Sequence, residues 1–189
     1  MTGDPDKPLH RREILLCVTG GIACYKSADL ASKLVQAGAG VTAALSSSAM
    51  EFIQPATFQA LTRRRVYTSL WQSSEDFTSQ HISLTERAEI MVIAPATANI
   101  LAKMACGIAD DLISTMALSA CGACEILVAP AMNTRMYQAP ATQANLKTLA
   151  DRGVHLVGPN AGRLACETVG PGRMAEPAEI LQAIVDILD

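Results

Sequence analysis

Glu89-Ile90-Met91-Val92-Ile93-Ala94-Pro95 is an unbroken apolar run of strand length, closed by a charge on one side and a proline on the other. A run without polar alternation has no solvated face, so this strand is buried on both sides, as strands of parallel sheets are. Working outward, helical patterns follow at Ala98 to Ala105 and Asp111 to Ala120, and the strand-then-proline ending recurs at Ile126 to Ala129. Upstream, Ile14 to Val18 is a first strand that ends at Thr19-Gly20-Gly21, with a helix over Ile22 to Ala37 stopped by Gly38-Ala39-Gly40. Val41 to Leu45 is a second strand, followed by Ser46-Ser47-Ser48, a helical stretch through Phe52, and a short helix from Pro55 to Leu61. Downstream, a helix over Ala141 to Arg152 leads to a last strand at Val154 to Val157, a Gly- and Pro-rich loop from Gly158 to Pro177, and a helix at Ala178 to Leu188. Alternating strands and helices predict an α/β fold with a parallel sheet covered on both faces.

Two stretches break the pattern. Arg63 to Gln80, with three consecutive arginines and the single tryptophan, reads as an irregular excursion before a helical turn or two at His81 to Arg87. Residues 1–12 carry two prolines and mixed charge but no apolar core of a signal peptide, and read as a frayed tail ahead of one domain at 13–189.

A chain of 189 residues suits one domain. Half its residues are hydrophobic and 17% charged, a thin polar surface that points to association between copies. A net charge of -3 offers no electrostatic footprint for nucleic acid or an anionic membrane. No apolar stretch of bilayer length occurs, and the simplest location is the cytoplasm. Six cysteines without an export signal read as reduced thiols, with Cys17, Cys24, Cys121 and Cys124 as packing residues; one Cys-x-x-Cys lacks the further ligands of a zinc site, so no metal is expected.

Ligands of open α/β sheets bind beyond the carboxyl ends of the strands, and the candidate segments lie there. Thr19 to Ala23 is a tight turn whose glycines admit close approach of a ligand, without the spacing of a dinucleotide fingerprint. Ser46 to Ser48 is a helix cap or a phosphate contact, and Pro95-Ala96-Thr97-Ala98 a turn on which a flat ring could lie, or simply the cap of the next helix. Asp110 or Asp111 caps the helix after that. His81 is the histidine best placed for proton transfer, since His10 falls in the tail and His155 in a strand. Cys166 differs from the other cysteines in lying within the flexible loop.

His81-Ile-Ser-Leu, Pro130-Ala-Met-Asn-Thr-Arg-Met136 and Leu164-Ala-Cys-Glu-Thr-Val-Gly-Pro-Gly-Arg-Met174, in that order, resemble the homo-oligomeric flavin-containing cysteine decarboxylases, and within them the branch acting on phosphopantothenoylcysteine. The likeness runs from Ile14 to about Leu188. It implies a Rossmann-like (flavodoxin-like) three-layer sandwich that binds FMN and assembles as a trimer or dodecamer with sites at subunit boundaries. By motif, Gly21, Ser46, Phe52, Pro95, Ala96, Thr97, Ala98 and Ala131 would contact FMN; Asn133, Met136 and Arg173 the substrate; His81 and Cys166 would be catalytic, Cys166 as proton donor on a substrate-covering flap at about 158–177. The implied reaction oxidises the cysteinyl end to a thioaldehyde, releases CO2 and reduces the enethiol, giving 4'-phosphopantetheine for coenzyme A synthesis.

The sequence departs from the family pattern at Glu167, where glycine usually follows the flap cysteine, and at Tyr137, where tryptophan is frequent. No ligase unit follows, so a separate ligase is the expected partner. Peptidyl-cysteine decarboxylases of lantibiotic maturation stop at the enethiol and need no Cys166. Prenyl-FMN synthases need no Asn133 motif, and a non-catalytic regulatory flavoprotein subunit would need none of these three groups.

Overall fold

A computed structural model describes residues 7–71, 80–163 and 169–189. Nine helices and eight strands lie within them. Six strands form one parallel sheet: β1 (Glu13–Val18), β2 (Gly40–Leu45), β3 (Val66–Tyr67), β4 (Ile90–Ala96), β5 (Glu125–Pro130) and β6 (His155–Leu156), in the order β3-β2-β1-β4-β5-β6. Helix α1 (Cys24–Gln36), α3 (Pro55–Thr62) and α9 (Pro177–Leu188) cover one face. The other face carries α4 (Gln80–Arg87), α5 (Ala98–Cys106), α6 (Leu112–Ser119) and α8 (Pro140–Asp151). Short helices α2 (Ser47–Met50) and α7 (Thr134–Gln138) follow β2 and β5 directly.

The two-residue period of a strand divides its side chains between two cores. Ile14, Leu16 and Val18 of β1 join Ile90, Val92 and Ala94 of β4 in the core beneath α1 and α9. Leu15 and Cys17 join Met91, Ile93 and Ala96 in the core beneath α4, α5 and α6. Both cores need apolar residues, which is why these strands read as continuous apolar runs.

The main elements match expectation, and the exceptions have physical reasons. β3 falls in the stretch expected to be irregular; its two residues pair with Ala43 and Ala44 and are too few to create a pattern. The Gly- and Pro-rich stretch expected as a loop contains a second sheet, β7 (Asn160–Arg163) antiparallel to β8 (Val169–Arg173). Its glycines serve close packing, as described below. The expected frayed tail is held in its described part: Leu9 is fully buried, its N–H donates to the Ala37 carbonyl at 3.0 Å, and Arg12 pairs with Glu89 and donates to the Leu188 carbonyl. Cys121, expected as packing, is exposed, whereas Cys17 and Cys24 are buried and Cys124 packs partly against the second core.

Leu9→Ala removes a side chain with no solvent access and should cost about 2 to 5 kcal/mol. Chemical denaturation checks this, since a tail residue would change stability by no more than about 0.5 kcal/mol.

Candidate active site

The strand order reverses between β1 and β4, because the chain builds β2 and β3 to one side of β1 and β4 to β6 to the other. Connections leaving the two strands part there and leave a crevice. A cleft of about 1070 Å³ occupies this position, lined by the segments after β1, β2, β4 and β5 and by the end of β8.

The segments are joined to one another mainly through backbone. Thr19 donates its hydroxyl to the Pro95 carbonyl at 2.7 Å and accepts the Thr97 N–H at 3.1 Å, tying the turn after β1 to the turn after β4. The Ala131 N–H reaches the Ala96 carbonyl at 3.0 Å. At Gly20 a Cβ would stand 2.4 Å from Ser48 Cβ and 2.7 Å from the Ser48 carbonyl oxygen, so only glycine lets the first two turns meet. At Gly21 a Cβ would meet no atom within 4 Å. The two adjacent glycines therefore differ: one is required by the protein, while the other leaves space at the cleft.

Gly21, Ser46, Thr97, Ala98, Ala131, Asn133, Met136 and Arg173 line this one cleft. Ser46 and Thr97 are also helix caps, accepting from Ala49 and Ile100 N–H groups. A capping hydroxyl accepts through its oxygen and keeps its own proton for a ligand. Asn133 caps α7 by accepting the Arg135 N–H at 2.8 Å, which orients its carboxamide. Pro95 and Ala96 do not line the cleft: β4 runs through Ala96, and both are buried in the floor with carbonyls bonded to Thr19 and Ala131. Phe52 is exposed and lies outside the lining. His81 sits on α4 and is not part of the lining; its carbonyl accepts the Thr85 hydroxyl. Cys166 lies outside the described residues.

Two charged clusters at the cleft carry no signal in the sequence. Lys26, nearly buried on α1, donates to the Met174 carbonyl at 3.1 Å and to Glu176 at 3.0 Å, and Arg173 pairs with the same carboxylate. Lys26 first, and Arg173 with it, hold the Glu176 carboxyl below the usual range. Lys103 contacts Asp110 and Asp111 at 2.6 Å each, which raises its pKa. Burial pushes Asp111 upward, but bonds from Lys103 and Ser114 outweigh it and leave the carboxyl lowered. Asp111 caps α6 in a reciprocal box with Ser114, as one of the two expected caps. Lys26 is separated from Glu176 by 150 positions, so no local spacing announces the pair. Burial pushes the Cys17 and Cys24 thiols up, which suits packing and not nucleophilic chemistry. No group of three or more His, Cys, Asp or Glu that could hold a metal occurs among the described residues.

A doubly wound parallel sheet with an open cleft at its reversal point, rimmed by small residues and capping hydroxyls, defines an α/β protein whose ligand site lies beyond the carboxyl ends of its strands. The chain belongs to the Flavoprotein family, whose model matches residues 3–189. It is 45% identical over 174 residues to the coenzyme A biosynthesis bifunctional protein CoaBC of Bacillus subtilis, covering 92% of this chain and 42% of that protein. The CoaBC protein of Escherichia coli K12 is 41% identical over 177 residues, with 94% and 43% covered. The chain thus spans less than half the length of these curated relatives. Among solved structures, a PPC decarboxylase mutant complexed with pantothenoylaminoethenethiol superposes with a TM-score of 0.85 at 30% identity, covering 95% of this chain and 99% of that one. The FMN binding protein AtHal3 gives 0.82 at 31% identity, with 94% and 97% covered.

Gly20→Ala should cost about 1 to 3 kcal/mol through overpacking against Ser48, whereas Gly21→Ala should stay within about 0.5 kcal/mol of the parent, both read by thermal denaturation. A second expectation concerns acid. Because the Glu176 pKa lies below its ordinary 4.5 when folded, the unfolded chain binds more protons in that window. The stabilisation is complete above pH 4.5 and disappears as pH falls through the lowered value. Glu176→Gln should remove this part of the acid sensitivity in denaturation midpoints measured across that range.

Proposed function

We propose that the chain binds FMN in the cleft and decarboxylates 4'-phospho-N-pantothenoylcysteine to 4'-phosphopantetheine, a step of coenzyme A synthesis. The observation that carries this reading is the joining, in one cleft at the sheet's reversal point, of the glycine-opened turn after β1 with the Asn133 segment after β5. Its support also includes the likeness to CoaBC proteins and to the PPC decarboxylase structure.

The residues fit the cofactor. The space beside Gly21 and the small side chains of Ala98 and Ala131 leave room for a flat ring, and the Ser46 and Thr97 hydroxyl protons offer donors to its polar atoms. When bound, FMN supplies a two-electron oxidation of the cysteinyl CH2–SH group to a thioaldehyde and returns the electrons after CO2 has left. The thioaldehyde carbon lies β to the carboxylate, which makes loss of CO2 easy.

This chain's side chains do the rest. Asn133 binds the substrate carboxylate through a carboxamide fixed at the start of α7. Met136, half exposed at the cleft, packs against the apolar part of the substrate. Arg173 meets an anionic group of the substrate, its fork held by Glu176. His81 handles the thiol proton, and Cys166 donates the proton that completes the saturated product.

The working enzyme in this reading is a homo-oligomer, a trimer or dodecamer, in which a neighbouring copy brings the His81 imidazole to the site; the position of His81 outside the cleft lining of its own chain supports it. Ile22, Tyr25 and Met136, exposed apolar residues on the cleft lining, fit a boundary of that kind. No helix among the described residues is long and apolar enough to cross a membrane, and we assign the enzyme to the cytoplasm.

The purified protein should be yellow and release CO2 from phosphopantothenoylcysteine. Cys166→Ser should halt at the oxidised enethiol, and His81→Asn should lose activity with the flavin retained. Full product from the serine variant would exclude Cys166 as proton donor. A colourless protein without turnover after FMN addition would overturn the reading as a whole.

A further inference from the structure

We infer that Thr134 and Gly170 form a positioning pair that fixes Asn133 and Arg173 relative to one another. The inference rests on the proposed decarboxylation, in which those two cleft residues bind the substrate.

The pair lies in the seam between α7 and β8. In the β7–β8 hairpin Gly162 stands opposite Gly170, so neither strand carries a side chain at this rung. Each gap is filled from elsewhere. A Cβ on Gly170 would lie 2.7 Å from Thr134 Oγ1 and 2.9 Å from its Cγ2, so the threonine side chain occupies the room that the glycine leaves. A Cβ on Gly162 would lie 3.2 Å from Arg173 Nη1 and 3.4 Å from its Cδ, so the arginine lies across the opposite glycine.

Two residues along β8 a second contact repeats the seam through backbone alone. The Met132 N–H donates to the Gly172 carbonyl at 2.9 Å, and a Cβ on Gly172 would fall 2.3 Å from the Met132 carbonyl oxygen. With φ at +134°, only glycine serves there. Met132 and Thr134 flank Asn133, while Gly172 directly precedes Arg173. The two substrate-binding residues therefore sit on segments that touch on both sides of Asn133.

Thr134 contributes shape here. Its hydroxyl oxygen is buried and makes no hydrogen bond among the described residues, a state that ordinarily costs about 1 to 3 kcal/mol. A group kept under that penalty acts through the volume it fills. Gly170 and Thr134 are thus complementary in size: enlarging one demands reduction of the other. In Thr134→Ala the remaining Cβ stands 3.4 Å from where a Cβ on Gly170 would lie, an ordinary contact.

Steady-state kinetics of the FMN-loaded protein with phosphopantothenoylcysteine, on both single variants and the double, tests the pair. Gly170→Ala should raise KM about tenfold and Thr134→Ala about threefold, with kcat within about twofold and flavin absorbance retained. The double variant Gly170→Ala/Thr134→Ala should return KM below that of Thr134→Ala alone, to within about 1.5-fold of the parent. Should Gly170→Ala fail to fold, the comparison of Thr134→Ala with the double variant still decides, because adding Gly170→Ala must lower KM. Additive effects, unchanged KM in the single variants, or a loss carried by kcat alone overturns the pair. A parent protein without turnover removes the decarboxylase reading and this inference with it, whereas turnover combined with additivity removes the inference only.

Discussion

The parallel pairing of β1 with β4, two strands buried on both faces, is the constraint from which the rest of the molecule follows. From β1 the chain moves outward to β2 and β3, then returns to place β4 on the other side of β1. Crossovers between parallel strands are almost always right-handed, so reversing the direction of travel moves the connecting helices to the opposite face. This puts α1 and α3 on one face and α4, α5, α6 and α8 on the other. It also forces the chain segments leaving β1 and β4 apart at the carboxyl end, which creates the cleft. At the opposite end the same two strands are clamped: the Glu89 N–H donates to the Glu13 carbonyl, the Glu13 N–H to the Glu89 carboxylate, and Arg12 pairs with that carboxylate.

Above the sheet, the successive segments approach closely, through backbone and through the Thr19 hydroxyl. Gly20 against Ser48, Thr19 against Pro95, Ala131 against Ala96 and Gly172 against Met132 form a continuous set of close contacts around the rim. Small residues at these places serve two ends: they permit the contacts and leave the ligand face thin. The residues whose hydroxyls cap α2 and α5 also line this space, so helix initiation and the cleft rim draw on the same residues.

Legibility in the sequence follows this division. Strands such as Ile90 to Ala94 are readable because burial on both faces leaves no polar position. Residues immediately after the strands, among them Gly21, Thr97, Ala131 and Asn133, are readable as cleft residues because the fold dictates where a ligand lies. Pro95 and Ala96 are misplaced by that reasoning because β4 extends two residues beyond its expected end, into the floor. The β7–β8 hairpin is hidden because glycines weaken a strand in isolation, whereas here Gly170 and Gly172 make room for Thr134 and Met132 and Gly162 lies under Arg173. Leu9 is hidden because one apolar residue carries no period. Lys26 and Glu176 are invisible for a further reason: a lysine in a helical pattern ordinarily signals a solvated face, and its partner lies far along the chain.

The charges around the cleft show how a protein of net charge -3 can accommodate an anionic ligand. Lys26 and Arg173 share the single carboxylate of Glu176, leaving local positive charge at the β8 side, whereas Lys103 is matched by both Asp110 and Asp111 on the α5–α6 side. An anion is therefore favoured at one end of the cleft and not the other, without a large field over the whole surface. The arrangement also joins two of the devices that hold β8. Electrostatics fastens Glu176, just beyond the strand, to Lys26 of α1, and shape fastens Gly170 within the strand to Thr134 of α7. A buried ammonium that loses its carboxylate keeps only the Met174 carbonyl among the described residues, so the first fastening resists opening strongly. The second involves no hydrogen bond from the threonine hydroxyl to a described residue and resists only through packing.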